Sequence, residues 1–199
     1  MPGEIRVDVV KATTGLGTVS VNNEGIRVSG IVTATSFDGA LLRGAVFMTA
    51  QATTSGTFKD FTGIPSWVKR VTVMFDTVSL GTAASAWLIQ LGDSEGIENT
   101  GYTSASNEFT SSGVGADNST AGFVIRNNNI GYTFSGQMII SNMTGNTWVE
   151  SGIFASPATI YTTTTAGVKT LSSTLTQLRV TTVAGTSSFD SGTINVLYE

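Results

Sequence analysis

Neither cysteine nor histidine occurs among the 199 residues. Without cysteine there are no disulfides and no thiolate metal sites. Without histidine the usual imidazole ligand is missing, and so is the base that a Ser-His-Asp arrangement needs. Charge is scarce as well. Charged side chains make up 12% of the residues, about half the usual share. The ten basic residues are scattered through a chain of net charge −4, which leaves no footprint for nucleic acid. No run approaches the roughly 18–20 apolar residues of a membrane span. The start, Met1-Pro2-Gly3-Glu4-Ile5-Arg6, lacks the basic and apolar regions of a signal peptide. The expectation is a soluble protein made in a cytoplasm, with neither a nucleic-acid nor a membrane partner.

Thr and Ser fill the place of charge, at 54 of the 199 residues. The branched Cβ of Thr suits a pleated surface, while Ser and the 23 glycines suit turns. Val, Ile, Phe and Trp recur throughout, so the composition is β-rich rather than disordered. The length suits one large all-β domain, alone or with a small appendage. Between Arg126 and Lys169 the only charged side chain is Glu150. A surface built from that interval is either solvated by hydroxyls and amides or covered by another chain.

The organising stretch is Asp60–Phe75. Gly63 and Pro65 break the chain, and then Val71, Val73 and Phe75 alternate with Thr72 and Met74, as a half-buried strand requires. Ala86–Leu91 is apolar on both faces, as in the middle of a sandwich. Ala121–Ile125, Tyr132–Ile140, Thr147–Phe154, Thr159–Thr165, Val168–Leu171, Leu175–Thr182 and Thr193–Glu199 read as further strands. Thr147–Phe154 is expected to pair antiparallel with the strand before it. Ala45–Ala50 reads as one strand, and Tyr102–Asn118 as a long polar loop of the kind that carries function or motion. No stretch has a helical period with caps. Strands with turns every 8–15 residues predict an all-β, antiparallel β-sandwich, jelly-roll-like, over residues 46–199. Residues 1–45 form short runs around Asn22–Gly25 and Ser36–Gly39 with no room for a private core. They predict a β-rich attachment or stalk segment that needs partners.

Candidate chemistry is thin. Asp93, Glu95, Glu98 and Asn99 are oxygen ligands close in sequence, as a Ca²⁺ site wants, but their spacing is not that of an EF-hand loop. The favoured reading is a solvated acidic loop with no cofactor. Paired carboxylates of a glycosidase are a weaker reading, since no cleft is implied. Trp87 and Trp148 lie inside strands and belong to the core. Trp67, at a loop edge, and Tyr102, in the long polar stretch, are the residues best placed to stack on sugars, although packing remains the leading reading for Trp67. Lys69-Arg70 reads as a solvated pair.

Two stretches carry a resemblance. Thr18–Val21 with Gly25–Phe37 is similar to the short repeated β element of structural fibre proteins of marine and cyanobacterial tailed phages, where such elements build intertwined trimeric stalks. Asp60–Phe75, Gln90–Ser94, Gly101-Tyr102, Gly136–Val149 and Phe189–Glu199 together resemble the C-terminal module of phage tail-fibre and other virion surface proteins. The resemblance implies a non-enzymatic structural protein of a tailed-phage virion, projecting as a capsid decoration, head fibre or fibre-like spike. It implies a homotrimer held to major capsid or tail proteins through the N-terminal segment. The alternative it implies is a tail-fibre receptor-binding protein that engages host surface glycans.

Overall fold

The computed structural model describes residues 18–22, 25–29, 44–127, 129–156 and 159–199. Two compact units divide the chain, Met1–Leu42 and Arg43–Glu199. In the first, β1 (Thr18–Asn22) and β2 (Gly25–Ser29) form an antiparallel hairpin in which Asn22 faces Gly25. The runs expected at Ile5–Val10 and Ile31–Thr35 and the turn at Ser36–Gly39 lie outside the described residues.

The second unit is all-β, with no helix among its described residues. Its strands are β3 (Val46–Phe47), β4 (Gln51–Ala52), β5 (Lys59–Thr62), β6 (Arg70–Leu80), β7 (Trp87–Asp93), β8 (Gly96–Ile97), β9 (Tyr102–Thr110), β10 (Gly113–Ser119), β11 (Phe123–Ile125), β12 (Phe134–Thr144), β13 (Thr147–Ser156), β14 (Tyr161–Thr170), β15 (Gln177–Thr182) and β16 (Phe189–Tyr198). The larger sheet runs β10-β9-β14-β13-β12-β6-β16-β3, with β4 also on β16. The smaller runs β11-β7-β15-β5, with β8 on β7. Every pairing is antiparallel.

The core lies between the sheets because alternation sends one apolar set inward from each strand of the larger sheet. Val71, Val73 and Phe75 of β6 meet Met138 and Ile140 of β12 and Ile194 and Val196 of β16 on that face, and all are buried. The smaller sheet covers them with Trp87, Ile89 and Leu91 of β7 and Leu178 and Val180 of β15. Every residue of β7 is buried, as expected of a run that is apolar on both faces. Trp87 meets the rings of Phe75 and Phe134 edge-on, with centroids 5.8 and 4.8 Å away. Trp148 is also buried, so both strand tryptophans are core. β12 and β13 pair as the sequence predicts, from Ser135↔Ala155 to Thr144↔Thr147.

Three expectations need correction. Thr159–Thr165 and Val168–Leu171 are not separate strands: β14 runs unbroken from Tyr161 to Thr170. Ala45–Ala50 is not one strand: the chain there is broken into the two-residue β3 and β4, both against β16, with Met48 N–H donating to the Val196 carbonyl between them at 2.8 Å. Tyr102–Asn118 is not a loop: it is the hairpin β9–β10, in register from Ser104↔Ser119 to Thr110↔Gly113. Along β9, Tyr102, Ser104, Ser106 and Glu108 are buried while Thr103, Ala105, Asn107 and Phe109 are exposed. The period of two was present, but the inward set is polar and hydropathy could not reveal it.

Candidate functional site

The inward polar set of β9 and β14 has a structural task. β11 is an edge strand of the smaller sheet and pairs with β7 along one side only. Its other side faces the larger sheet, where the backbone groups of Val124 and Arg126 would be buried without partners, at a cost of about 1–3 kcal/mol each. Four hydroxyls satisfy them. Ser104 Oγ accepts from Val124 N–H and Ser106 Oγ from Arg126 N–H, each at 3.0 Å. Thr165 Oγ1 lies 2.8 Å from the Val124 carbonyl, and Thr163 Oγ1 donates to the Arg126 carbonyl at 3.2 Å. Hydroxyl side chains thus stand where a neighbouring strand would be. The Arg126 side chain continues the tie. Its guanidinium lies 2.8 Å from both Glu108 Oε2 and Asp117 Oδ1, and donates to the Ala116 carbonyl at 3.0 Å. Gly115 leaves the room, because a Cβ there would sit 2.5 Å from Arg126 Nε.

Behind this latch lies Glu150, 5% exposed on the inward face of β13. Thr165 Oγ1 is 2.9 Å from Glu150 Oε1 as well as 2.8 Å from the Val124 carbonyl. A hydroxyl has one proton and cannot donate to both. Both contacts form together when Glu150 carries a proton and donates it to Thr165 Oγ1, while Thr165 donates to Val124. Burial pushes the Glu150 carboxyl up to about 7, against a smaller lowering by the Thr165 bond. Geometry and desolvation therefore agree on a carboxyl that keeps its proton well above the ordinary carboxylate range.

The acidic stretch is drawn into similar ties. Asp93 is buried, with Oδ1 accepting from Glu95 N–H at 2.8 Å and Oδ2 lying 2.9 Å from Ser172 Oγ. Glu98 accepts from Ser172 N–H at 2.8 Å, has Oε1 2.6 Å from the same Ser172 Oγ, and meets Lys169 Nζ at 2.5 Å; the one hydroxyl proton serves one carboxylate at a time. Burial raises the Glu98 pKa, but Lys169 and Ser172 outweigh it and hold it below the ordinary carboxylate value. Asp93 and Glu98 thus share Ser172, and Glu95 contributes its backbone to an Asx turn. Among the described residues no three acidic side chains are grouped as a metal site. The solvated acidic loop expected of Asp93, Glu95, Glu98 and Asn99 holds for the exposed Glu95 and Asn99 but not for Asp93, which is buried among these bonds.

Tyr102 must also be corrected as a sugar-stacking residue. It is 2% exposed. Its hydroxyl accepts from Leu91 N–H at 2.6 Å and donates to the Glu98 carbonyl at 3.0 Å, and burial raises the phenol above its usual range. The Lys169 ammonium lies over its ring, 5.1 Å from the centroid. Trp67 is half-buried and packs edge-on against Tyr198, with centroids 5.7 Å apart, so packing accounts for it. Of the neighbouring Lys69-Arg70 pair, Arg70 binds Glu199.

The outward side of the smaller sheet holds an open groove. Phe58, Gln90, Asn99, Arg179, Thr181 and Val183 line about 430 Å³, within the size range of small-molecule sites. Phe58 is 48% exposed, and the Arg179 guanidinium stacks on its ring 4.2 Å from the centroid. Asp60 grips that guanidinium in a two-pronged pair at 2.6 and 2.7 Å, which raises the Arg179 pKa. The Gln90 amide is fixed by donating to the Ala121 carbonyl at 2.9 Å. An oriented ring, a charge-balanced guanidinium and two carboxamides can hold a neutral ligand rich in hydroxyls, but none of them is a nucleophile. Sequence reading reached Asn99 alone of this set, for another purpose. β5, β7 and β15 bring Phe58, Gln90 and Arg179 together across more than a hundred residues, and no local pattern marks that meeting. No family model, curated protein or solved structure matches the chain.

Proposed function

We propose that the chain is a non-enzymatic structural protein of a tailed-phage virion. The Met1–Leu42 unit attaches it to major capsid or tail proteins, and the jelly-roll-like sandwich projects as a capsid decoration, head fibre or fibre-like spike in a homotrimer. One observation supports this best: the inward charged groups are committed to holding strands together. Lys169 and Glu98 tie β14 to the β8–β9 connection, Arg126 ties β11 to the β9–β10 hairpin, and Glu150 backs the latch. Such a site supplies rigidity rather than turnover. Mass spectrometry of purified particles, with labelled antibody to locate the chain, is expected to find many copies on the head. Absence from washed particles would overturn the reading.

The groove favours a second reading, a tail-fibre receptor-binding protein that engages host surface glycans. On a glycan array the full chain is then expected to bind neutral oligosaccharides. Phe58→Ala should weaken that binding by about tenfold, since uncovering an apolar ring face costs on the order of 1.5 kcal/mol, and should leave the fold intact. Binding that survives Phe58→Ala unchanged would place the ligand elsewhere.

A further inference from the structure

The interval from Arg126 to Lys169 builds β12, β13 and much of β14, and its single charge, Glu150, points inward. The outward face of those strands therefore carries no charge. The neutrality extends past the interval on both sides. One cross-strand row reads Asn107, Thr164, Ile153, Gln137, Met74 and Asn195 from β9 to β16. The next, from Ala105 to Leu197, is equally uncharged. Charges return only toward the ends of β6, at Arg70, which is bound to Glu199, and at Asp76.

A solvated surface would normally be about 25–35% charged, and a broad neutral sheet face invites association. On an acidic chain this is the region where a second copy can approach without like-charge repulsion or desolvation of an ion. Six strands about 4.8 Å apart, overlapping for roughly eight residues with every second one facing outward, span roughly 700 Å², close to the ~800 Å² per partner of a stable interface. The relief is self-complementary as well. Ile153 is 61% exposed. On one side of it lies a hollow of about 240 Å³ bounded by Gln137, Ile139 and Ser151. On the other lies a second hollow of about 240 Å³, bounded by Ala105, Asn107, Thr164 and Ala166. One face thus holds both the knob and the holes.

We infer that copies of this chain pack against one another through this face, the Ile153 of each entering a hollow on its neighbour. The inference rests on the homotrimer reading and specifies its surface. A head-to-tail contact of this kind closes into a ring when three copies complete the rotation.

Sedimentation velocity of the full chain at micromolar concentration tests it. The natural chain is expected to sediment as a trimer. Ile153→Glu should weaken self-association on the order of 100-fold, because three copies would bring like charges into a dry contact. Val183→Glu changes a residue that is 58% exposed on the opposite sheet and should leave the trimer whole. A trimer that persists in Ile153→Glu would overturn the assigned face and leave the homotrimer standing. A natural chain that is monomeric would overturn both. Ser151→Cys guards against misfolding of the charged variant. The chain has no other cysteine, so a short bismaleimide should link copies covalently in good yield. No linkage from a trimeric sample would also overturn the face.

Discussion

Above about pH 8, Glu150→Gln is expected to be more stable than the natural chain by about 3 kcal/mol, and near pH 4 the two should agree within about 1 kcal/mol. The Glu150 carboxyl rises from 4.5 to about 7 on folding. It therefore keeps its proton in the folded chain after the unfolded chain has released it. Between those values the native state binds more protons, so stability falls as pH rises through the window and levels off above it. Gln removes the titration and keeps a donor for Thr165 Oγ1. Urea unfolding of both chains from pH 4 to 9 would read the effect directly. The window is clear, because a chain without histidine or cysteine has no other ordinary side chain that titrates there. Glu98, held below its usual value by Lys169 and Ser172, acts at the other end: its contribution is lost as pH falls. A natural chain of constant stability from pH 5 to 8 would contradict a neutral buried Glu150.

Gly136→Ala is expected to cost about 4 kcal/mol, beyond ordinary overpacking, because backbone rather than a rotamer must yield. A Cβ at Gly136 would stand 2.2 Å from the Ile153 carbonyl oxygen and 2.7 Å from Phe154 Cα. Those atoms belong to β13, the partner strand at the middle of the larger sheet. Gly136 also has φ +153° and lies where the β12–β6 register slips, between Phe134 and Gly136. Relief would require β12 and β13 to part and would expose Phe134, Phe154 and the Trp87 cluster. Denaturant midpoints at fixed pH measure the loss. A variant within about 1 kcal/mol of the natural chain would mean that the sheet accommodates the methyl by local bending.

Much of the sandwich was legible in the chain. Where the inward set is apolar, as with Val71, Val73 and Phe75 or with Met138 and Ile140, a period of two marks both strand and face. The apolar run of β7 announced a strand buried on both sides. The signal failed where the inward set is polar. Ser104, Ser106 and Glu108 alternate as regularly as the valines of β6, but burial of a hydroxyl depends on a partner that sequence does not display. Here the partner is the unpaired edge of β11, which belongs to the other sheet. The acidic stretch departed from its reading for the same reason. Charged residues close in sequence suggest a solvated loop, whereas Asp93 and Glu98 meet Ser172 and Lys169, more than seventy residues away.

By itself the sequence determined an all-β chain without cysteine or histidine chemistry, with aromatic residues at its core and a long interval holding one charge. These follow from composition and short-range alternation, which depend on neighbours in the chain. Tertiary structure alone decided where that charge points. Because Glu150 shares the inward parity of Trp148 and Phe154, the uncharged interval becomes an uncharged outer face. The same packing turned Tyr102 into a buried donor and acceptor, and it assembled Phe58, Gln90 and Arg179 into a groove. Each of these depends on contacts between strands distant in sequence, and their partners are set by sheet order and register.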